Sequence, residues 1–328
     1  MTPVVAGEIA AAPFAAIRSA CAEVAARATR VRIQSERLSA YALELAASAP
    51  RAAGEGPWQR LPPDPELRCR FVLMLDAVNF GSGYFPHLRK RPGMSGYFTV
   101  ASSLKDRWDQ EGPLSAAALR ALRPDDCAVL FGQVDNPGPA QELMALFARA
   151  LNDLGQWLRS YGDDPLAPIA AAGGSAARLV TLVSEMPLFR DVATYRGREV
   201  TFYKRAQILV TDLAIAFEEN GPGAFADLDR LTIFADNLVP HVLRVDGLLT
   251  YDPDLLARIA RGELISAGSS QEIELRALAI HAVERLVAEL RRLGHPTTAR
   301  ELDYLLWNRG AGERYKALPR HRTRTVFY

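Results

Sequence analysis

Apolar residues recur every three or four positions along most of this chain, with polar residues between them, which is the spacing of amphipathic helices. The clearest stripe runs through residues 139–161, and a Gly-Asp-Asp-Pro sequence follows it as a stop signal. The same spacing predicts further helices at 13–48, 96–108, 113–122, 176–186, 202–219, 251–261, 271–293 and 299–310. The short apolar runs 71–75 and 127–134 fit either a buried strand or a buried helix, and we interpret the second as a helix.

Two stretches interrupt this pattern. Residues 51–68 contain two Gly and four Pro and are predicted to form a loop, anchored to the core by Trp58. Residues 194–200, TYRGREV, are polar and turn-like. The pattern therefore favours a mostly helical chain joined by short connections.

Composition narrows the class of protein. The chain has 328 residues, 49% of them hydrophobic, which is enough for a sizeable core. Lys and Arg number 39 against 38 Asp and Glu, so the net charge of +1 gives no general reason to bind nucleic acid or an anionic membrane. No apolar run approaches the roughly 20 residues of a membrane span, and no signal peptide is recognisable, so the cytoplasm is the expected location.

The Cys and His residues show no metal-binding pattern. The three Cys lack CxxC spacing and are expected to be free thiols in a reducing compartment. The five His are scattered, without HExxH or another ligand spacing, so no metal site is predicted.

One stretch, LTIFADNLVPHVLR at residues 231–244, places a single carboxylate, Asp236, among apolar residues that we take to be helical. An acid in such surroundings is costly unless it is paired or used in chemistry. Lys204, in the first turn of the predicted helix 202–219, is the candidate partner, because a cation at a helix start is unfavourable without an anion close by. That anion is either Asp236 or a substrate phosphate. On the residues alone, a structural cap is the commoner role for such an Asp.

Two further pairs of side chains are spaced to share a helix face. Asp76 and Asn79 are three positions apart and Phe80 follows, a set that suits recognition of a base but also suits a helix end. Asp303 and Trp307 are four apart, which suits a flat cationic ligand but also suits a core Trp with an acid at its edge. The residues leave both alternatives open.

The last residues, PRHRTRTVFY, interleave Arg with His and Thr before an aromatic end. Taken by itself, such a tail is either a nucleic-acid-binding arm or a docked strand.

Four motifs in this order resemble the queuosine-5′-phosphate N-glycosylase/hydrolase family, the queuosine salvage proteins. They are Asp76-x-x-Asn79-Phe80, Phe234-Ala235-Asp236-x-x-Val239-Pro240, Asp303-x-x-Leu306-Trp307 and the tail His321–Tyr328. The resemblance covers about residues 71–328. The chain departs from the family pattern after Asp236, where Asn237-Leu238 and His241 stand in place of an aromatic-Arg pair and a Gln.

The resemblance implies an all-α fold with a few short strands, similar to helix-hairpin-helix DNA glycosylases. It implies a single domain over 1–328, with a helical scaffold in 1–60 and a catalytic core in 71–328. The implied reaction is hydrolysis of queuosine 5′-monophosphate to queuine and ribose 5-phosphate, without a cofactor. The expected partners are this small-molecule substrate and the product queuine, with no nucleic acid and no membrane, and the protein is expected to be a monomer.

The resemblance also assigns roles. Asp236 is the catalytic carboxylate, as nucleophile or general base, and Lys204 either orients it or binds the phosphate. Asp76 and Asn79 hold the base edge, Phe80 or Trp307 stacks on the ring, and Asp303 binds the ammonium of the cyclopentene arm. The remaining expected substrate contacts are Phe234, Asn237, His241 and Arg322, the last two with Lys204 as the cations for the phosphate.

Two other classes of protein stay open. The first is a DNA base-excision glycosylase of related fold, which the charge balance disfavours because duplex binding wants a basic face. The second is a non-catalytic helical nucleotide-binding module, which would bind a ligand without turning it over.

Overall fold

The structure, a computed structural model, describes residues 6–48, 61 and 63–328, with side chains from residue 13 onward. It is mostly α-helical with four short strands in the described residues, which confirms the predicted fold class. Trp58 and most of the predicted loop 51–68 lie outside the described residues. The described helices are α1 (Ala6–Arg27), α2 (Leu38–Ala46), α3 (Pro65–Ala77), α4 (Gly96–Glu111), α5 (Ala116–Ala121), α6 (Pro124–Leu130), α7 (Pro139–Arg159), α8 (Ala167–Ala172), α9 (Ala176–Val183), α10 (Lys204–Ala216), α11 (Val239–Val245), α12 (Pro253–Ala260), α13 (Ser270–Arg292), α14 (Ala299–Gly310) and α15 (Glu313–Lys316). The strands are β1 (Val31–Ile33), β2 (Val192–Tyr195), β3 (Arg198–Thr201) and β4 (Leu249–Tyr251).

The chain divides into two compact units. Unit 1 comprises Met1–Gly54, Asp191–Lys204 and Asp227–Thr323, and unit 2 comprises Glu55–Arg190, Arg205–Ala226 and Arg324–Tyr328. Each unit is built from segments that are distant in sequence. The expectation of one domain with a scaffold and a core stays a prediction.

Helix α13 is the centre of unit 1, where α1 and α2 pack against it. The hydroxyl of Ser269 accepts a hydrogen bond from the Glu272 N–H, and Arg291 and Arg292 lie in the last turn. The Ser269 hydroxyl satisfies a free N–H at the start of the helix. The two positive Arg side chains interact favourably with the negative end of the helix dipole. The predicted helix 271–293 is therefore confirmed, with Ser269 as its N-cap.

The strands of unit 1 correct two sequence predictions. Strand β1 pairs antiparallel with β4 and interrupts the helical run predicted over 13–48. Strands β2 and β3 form a hairpin across the turn-like stretch 194–200. Arg196 and Gly197 make its tight turn with φ of +49° and +80°, the backbone that two-residue hairpin loops require.

Helix α7 organises unit 2, packing against α3, α5 and α6. The ambiguous run 71–75 lies within α3, and the first half of 127–134, residues 127–130, lies in α6, whereas residues 131–134 follow that helix as a turn. The three Cys are buried and free, as the sequence predicted.

Gly155 on α7 allows α5 to approach closely. A Cβ placed there would lie 2.8 Å from the Ala116 carbonyl oxygen and 2.9 Å from the Arg120 backbone nitrogen. Backbone atoms cannot move aside as side chains do, so Gly155→Ala should lower the free energy of unfolding by about 1–3 kcal/mol. Urea denaturation measures this change. The exposed Ala145 of the same helix is the control, and Ala145→Ser should leave the denaturation midpoint unchanged; an unchanged midpoint for Gly155→Ala would contradict the close packing.

Candidate functional site

Asp236 lies in a non-helical segment immediately before α11, not within a helix as the sequence suggested. Its Oδ1 accepts hydrogen bonds from the backbone N–H groups of Leu238, at 2.7 Å, and Val239, at 3.2 Å. These bonds satisfy N–H groups at the start of α11, which is the usual task of an Asp before a helix. The predicted helical context of Asp236 is therefore wrong. Its Oδ1 has a structural hydrogen-bonding role just before α11, whose N-cap residue is Leu238.

The same geometry leaves Asp236 usable for chemistry. Its side chain is half-buried, and no hydrogen bond to Oδ2 is found among the described residues. One oxygen thus fixes the orientation of the carboxylate while the other is open to a ligand. This structural role and catalysis are compatible in this arrangement.

Asp303 on α14 is the second carboxylate of the group. It is 6% exposed, and its Oδ1 accepts a hydrogen bond of 2.8 Å from the Phe234 N–H, two residues before Asp236. Burial, and then the negative charge of Asp236, raise the pKa of Asp303 from 3.8 to about 7, against the opposing effects of the Phe234 bond and the Lys204 charge. Asp303 therefore interacts electrostatically with both Asp236 and Lys204. A direct pairing of Lys204 with Asp236 stays a prediction.

Lys204 is the first residue of α10 and is buried. Its backbone N–H donates to Asp191 Oδ2 at 3.2 Å. The preceding Tyr203 has φ of +49°, a left-handed conformation that a bulky residue adopts only when its surroundings impose it. The start of α10 is thus held in one geometry at the residue that the sequence assigned to the site.

The part of the tail that belongs to unit 1 is docked, not free. The Arg322 carbonyl accepts the Ile265 N–H at 2.8 Å, and Asn237 Nδ2 donates to the His321 carbonyl at 3.4 Å. His321 and Thr323 are buried whereas Arg320 and Arg322 are exposed, the alternation of an extended segment with one face inward.

Arg320 is a residue that the sequence reasoning missed. Desolvation of its guanidinium lowers the pKa of Arg320, against the charge of Asp236 and together with that of Arg322. No hydrogen bond joins this guanidinium to other described residues. The signal was present in the Arg-x-Arg spacing of the tail, which puts Arg320 on the outward face with Arg322. Together the two cations are available to an anionic ligand.

His241 does not provide the positive charge that was expected of it. Arg244 donates to His241 Nδ1 at 3.1 Å, so the proton lies on Nε2, which contacts the Tyr315 carbonyl at 2.8 Å. Burial, together with the charges of Arg244 and Arg320, lowers the pKa of His241 to about 4. A neutral, fully bonded imidazole is a poor phosphate ligand, which corrects the assignment of His241 to the phosphate.

Trp307 is 38% exposed, although its neighbour Leu306 on α14 is fully buried. The core alternative for this indole is therefore wrong, and its surface is open to a ligand. Stacking by Trp307 stays a prediction.

The three candidate residues of unit 2 form a group of their own. Asn79 Nδ2 donates to Asp76 Oδ1 at 3.1 Å, as expected from their spacing at the end of α3. Phe80 is 2% exposed, lies 4.6 Å from the Arg205 guanidinium and packs edge-on against Phe147. This packing corrects the expectation that the Phe80 ring is open for stacking. Base recognition by Asp76 and Asn79 stays a prediction.

Within the described residues, no group of three or more side chains is arranged to hold a metal ion. No described helix is long and apolar enough to cross a membrane.

Fold and site together define a mostly helical protein with two interacting carboxylates, a buried Lys and two exposed Arg in unit 1. The family model described as queuosine salvage protein matches residues 61–328. A protein of Sphaerobacter thermophilus named queuosine 5′-phosphate N-glycosylase/hydrolase is 44% identical over 270 residues, covering 80% of this chain and 82% of that protein. Proteins of the same name from Dictyostelium discoideum and Bos taurus are 33% and 34% identical, covering 80% and 71% of this chain and 79% and 72% of their own lengths. The chain belongs to the queuosine salvage protein family.

The raised pKa of Asp303 has a measurable consequence for stability. Above pH 3.8 the unfolded chain has released this proton while the folded protein keeps it up to about pH 7, so raising the pH through that window favours unfolding. Wild type should therefore lose up to about 1.4 kcal/mol of unfolding free energy per pH unit relative to Asp303→Asn. Denaturant titrations between these pH values test this, because Asn keeps the oxygen that accepts the Phe234 N–H.

A constant difference between Asp303→Asn and wild type over this pH range would contradict the raised pKa of Asp303.

Proposed function

We propose that this protein hydrolyses the N-glycosidic bond of queuosine 5′-monophosphate, releasing queuine and ribose 5-phosphate. The observation that carries the proposal is the open Oδ2 of Asp236, whose charge interacts with Asp303 and Arg320, in a chain that belongs to the queuosine salvage family. A carboxylate held by one oxygen and flanked by cations suits a phosphorylated sugar.

The reaction first requires stabilisation of the positive charge that develops at the anomeric carbon of the sugar. Breaking an N-glycosidic bond builds positive charge on the sugar, and an adjacent carboxylate stabilises that charge. Asp236 serves this role, because its Oδ1 is fixed by two backbone N–H groups and its Oδ2 can face the anomeric carbon or a water. Nucleophilic attack and activation of water both fit this geometry.

The leaving base is the second requirement. A 7-deazaguanine has no N7 to protonate, so hydrogen bonds to its edge must stabilise the charge that develops on it. Asp76 and Asn79 offer acceptors and a donor for that edge, and the exposed Trp307 offers a face for stacking.

The ammonium of the cyclopentene arm suits Asp303. Burial and the charge of Asp236 make the ionised form of this carboxyl costly, as its raised pKa indicates. A bound cation would offset both the cost of burial and the repulsion from Asp236. Asp303 would then be ionised beside a positive partner.

The phosphate is the third requirement, and cations must meet it. Arg320 and Arg322 lie on the exposed face of the tail, whereas His241 is neutral and already bonded. Arg binds phosphate through several N–H groups at once, which favours these two residues for the role. Lys204 is the remaining candidate, and its alternative task is to orient Asp236.

We also infer the kind of substrate, the oligomeric state and the location of the protein. A net charge of +1 provides no broad attraction to nucleic acid, so we propose that a free nucleotide is the substrate. We also propose that the protein acts as a monomer in the cytoplasm.

Asp236→Asn keeps the oxygen that accepts the Leu238 and Val239 N–H groups and removes the charge. Wild type should release queuine from queuosine 5′-monophosphate, and Asp236→Asn should be slower by about 10²–10⁴-fold. Chromatographic detection of queuine measures both rates. The control is Asp229→Asn, an exposed carboxylate of the same segment, which should keep the wild-type rate.

Undiminished release by Asp236→Asn would move the catalytic carboxylate elsewhere, with Asp76 next in line. If wild type released no queuine, the reaction would be wrong, and the base-excision enzyme and the binding module would be tested in its place.

Arg320→Ala tests the phosphate assignment. Loss of one charge-assisted contact should raise KM for queuosine 5′-monophosphate about tenfold or more and leave KM for the dephosphorylated nucleoside unchanged. Steady-state kinetics on both substrates separate the two constants. Lys204→Ala should behave in the same way if Lys204 binds phosphate, and should lower kcat on both substrates if it orients Asp236. Equal effects of Arg320→Ala on nucleotide and nucleoside would remove Arg320 from the phosphate site.

A further inference from the structure

Arg276 and Asp191 form a buried ion pair in unit 1, with each side chain only 2% exposed. Arg276 projects from α13, and Asp191 directly precedes β2. Nη1 lies 2.9 Å from Oδ1 and Nη2 lies 2.5 Å from Oδ2, so the pair is bidentate. The Arg276 guanidinium also lies 4.0 Å from the centre of the Phe202 ring.

Arg276 Nη1 also lies 3.5 Å from Oε1 of the buried Glu272 on the same helix, and the pair makes two further contacts with backbone groups of the candidate site. Arg276 Nε donates to the Ala235 carbonyl at 2.9 Å, which fixes the residue immediately before Asp236. Asp191 Oδ2 accepts the Lys204 backbone N–H at 3.2 Å, which fixes the start of α10. One ion pair therefore bonds to the backbone at or beside both residues assigned to catalysis, although they are 32 positions apart in sequence.

Stability alone does not account for two buried charges at this place. Taking both ions out of water is costly, and a well-packed apolar pair of similar volume often serves a core as well. A guanidinium, however, fixes three acceptors in one plane, which no apolar side chain can do. The buried ion pair therefore contributes by fixing the positions of its partners more than by adding stability.

We propose that Asp191 and Arg276 are a positioning pair for the reaction, holding Asp236 and Lys204 in register with each other. The inference rests on the proposed function for its kinetic part. Neither residue needs to touch substrate: Arg276 acts through the Ala235 carbonyl, and Asp191 acts through the Lys204 N–H. A small displacement of a reacting group is enough to lower kcat strongly, so the pair governs kcat more than KM.

Glu274 provides a matched control on the same helix. It is 1% exposed, and its carboxylate accepts hydrogen bonds from the Tyr195 hydroxyl at 2.8 Å and the Arg30 N–H at 2.7 Å. Glu274→Gln thus weakens a buried, hydrogen-bonded carboxylate of unit 1. Its hydrogen bonds within the described residues go to Tyr195 and to the backbone of residues 29–31, not to Asp236 or Lys204. Its loss of stability is the benchmark for a purely structural effect.

The experiment compares Asp191→Asn, Arg276→Lys and Glu274→Gln below their melting temperatures, with circular dichroism to confirm that each is folded. We expect kcat for queuine release to fall about 100-fold in the first two variants, with KM little changed, and to stay near wild type in Glu274→Gln. Arg276→Lys is informative because Lys keeps the charge and loses the planar fork. A loss of kcat no larger than that of an equally destabilised Glu274→Gln would overturn the proposal.

Hydrogen exchange supplies a second readout that needs no substrate. The Leu238 and Val239 amides donate to Asp236 Oδ1, so their protection reports whether that carboxylate is held. Exchange should accelerate in Asp191→Asn and Arg276→Lys and not in Glu274→Gln. If wild type releases no queuine, the proposed function fails and this comparison decides the positioning role alone: protection lost only in the pair variants supports it, and unchanged protection overturns it.

Discussion

The cost of removing charge from water is the constraint on which unit 1 depends. Helix α13 carries Glu274 and Arg276 into the interior, and each is satisfied by groups from distant parts of the chain. Glu274 fixes the segment that leads into β1, whereas Arg276 fixes Asp191 and the Ala235 carbonyl. A buried charge accepts few alternative arrangements, because every other arrangement leaves it unpaired. The segments that meet at α13 are therefore aligned by electrostatics as well as by apolar packing.

The same constraint produces the unusual carboxyl of the site. Asp303 is buried close to Asp236, and the two negative charges oppose each other. Burial and this repulsion both disfavour ionisation of Asp303, so its pKa is raised to about 7. The positive charge of Lys204 and the hydrogen bond from the Phe234 N–H limit the rise in the pKa of Asp303. A cationic ligand close to Asp303 would offset both effects on its ionisation.

Much of the fold could be predicted from the sequence because helical periodicity is a local signal. Helix α7 and the Ser-capped α13 begin and end within a few residues of the prediction. The hairpin β2–β3 was missed, since its four-residue strands are too short to show an alternating pattern. Asp236 was placed in a helix because an apolar run cannot by itself distinguish a helix from an extended buried segment. The Phe80 ring is covered by Arg205 and Phe147. These residues are distant in sequence, so the spacing of residues could not indicate either contact.

The non-helical backbone around Asp236 is itself the reason that the site can be rigid. In a helix, the carbonyl and N–H groups of residues 234–237 would bond to their own turns. Released from that pattern, the Phe234 N–H bonds to Asp303, the Ala235 carbonyl accepts from Arg276, and the Asn237 side chain donates to the His321 carbonyl. Asp236 closes the series by accepting two N–H groups at the start of α11. Four consecutive residues are thus held by α14, α13, the start of α11 and the tail in turn. A carboxylate on a helix moves whenever the whole helix shifts. Asp236 instead lies in a segment whose residues on both sides are hydrogen-bonded to other elements.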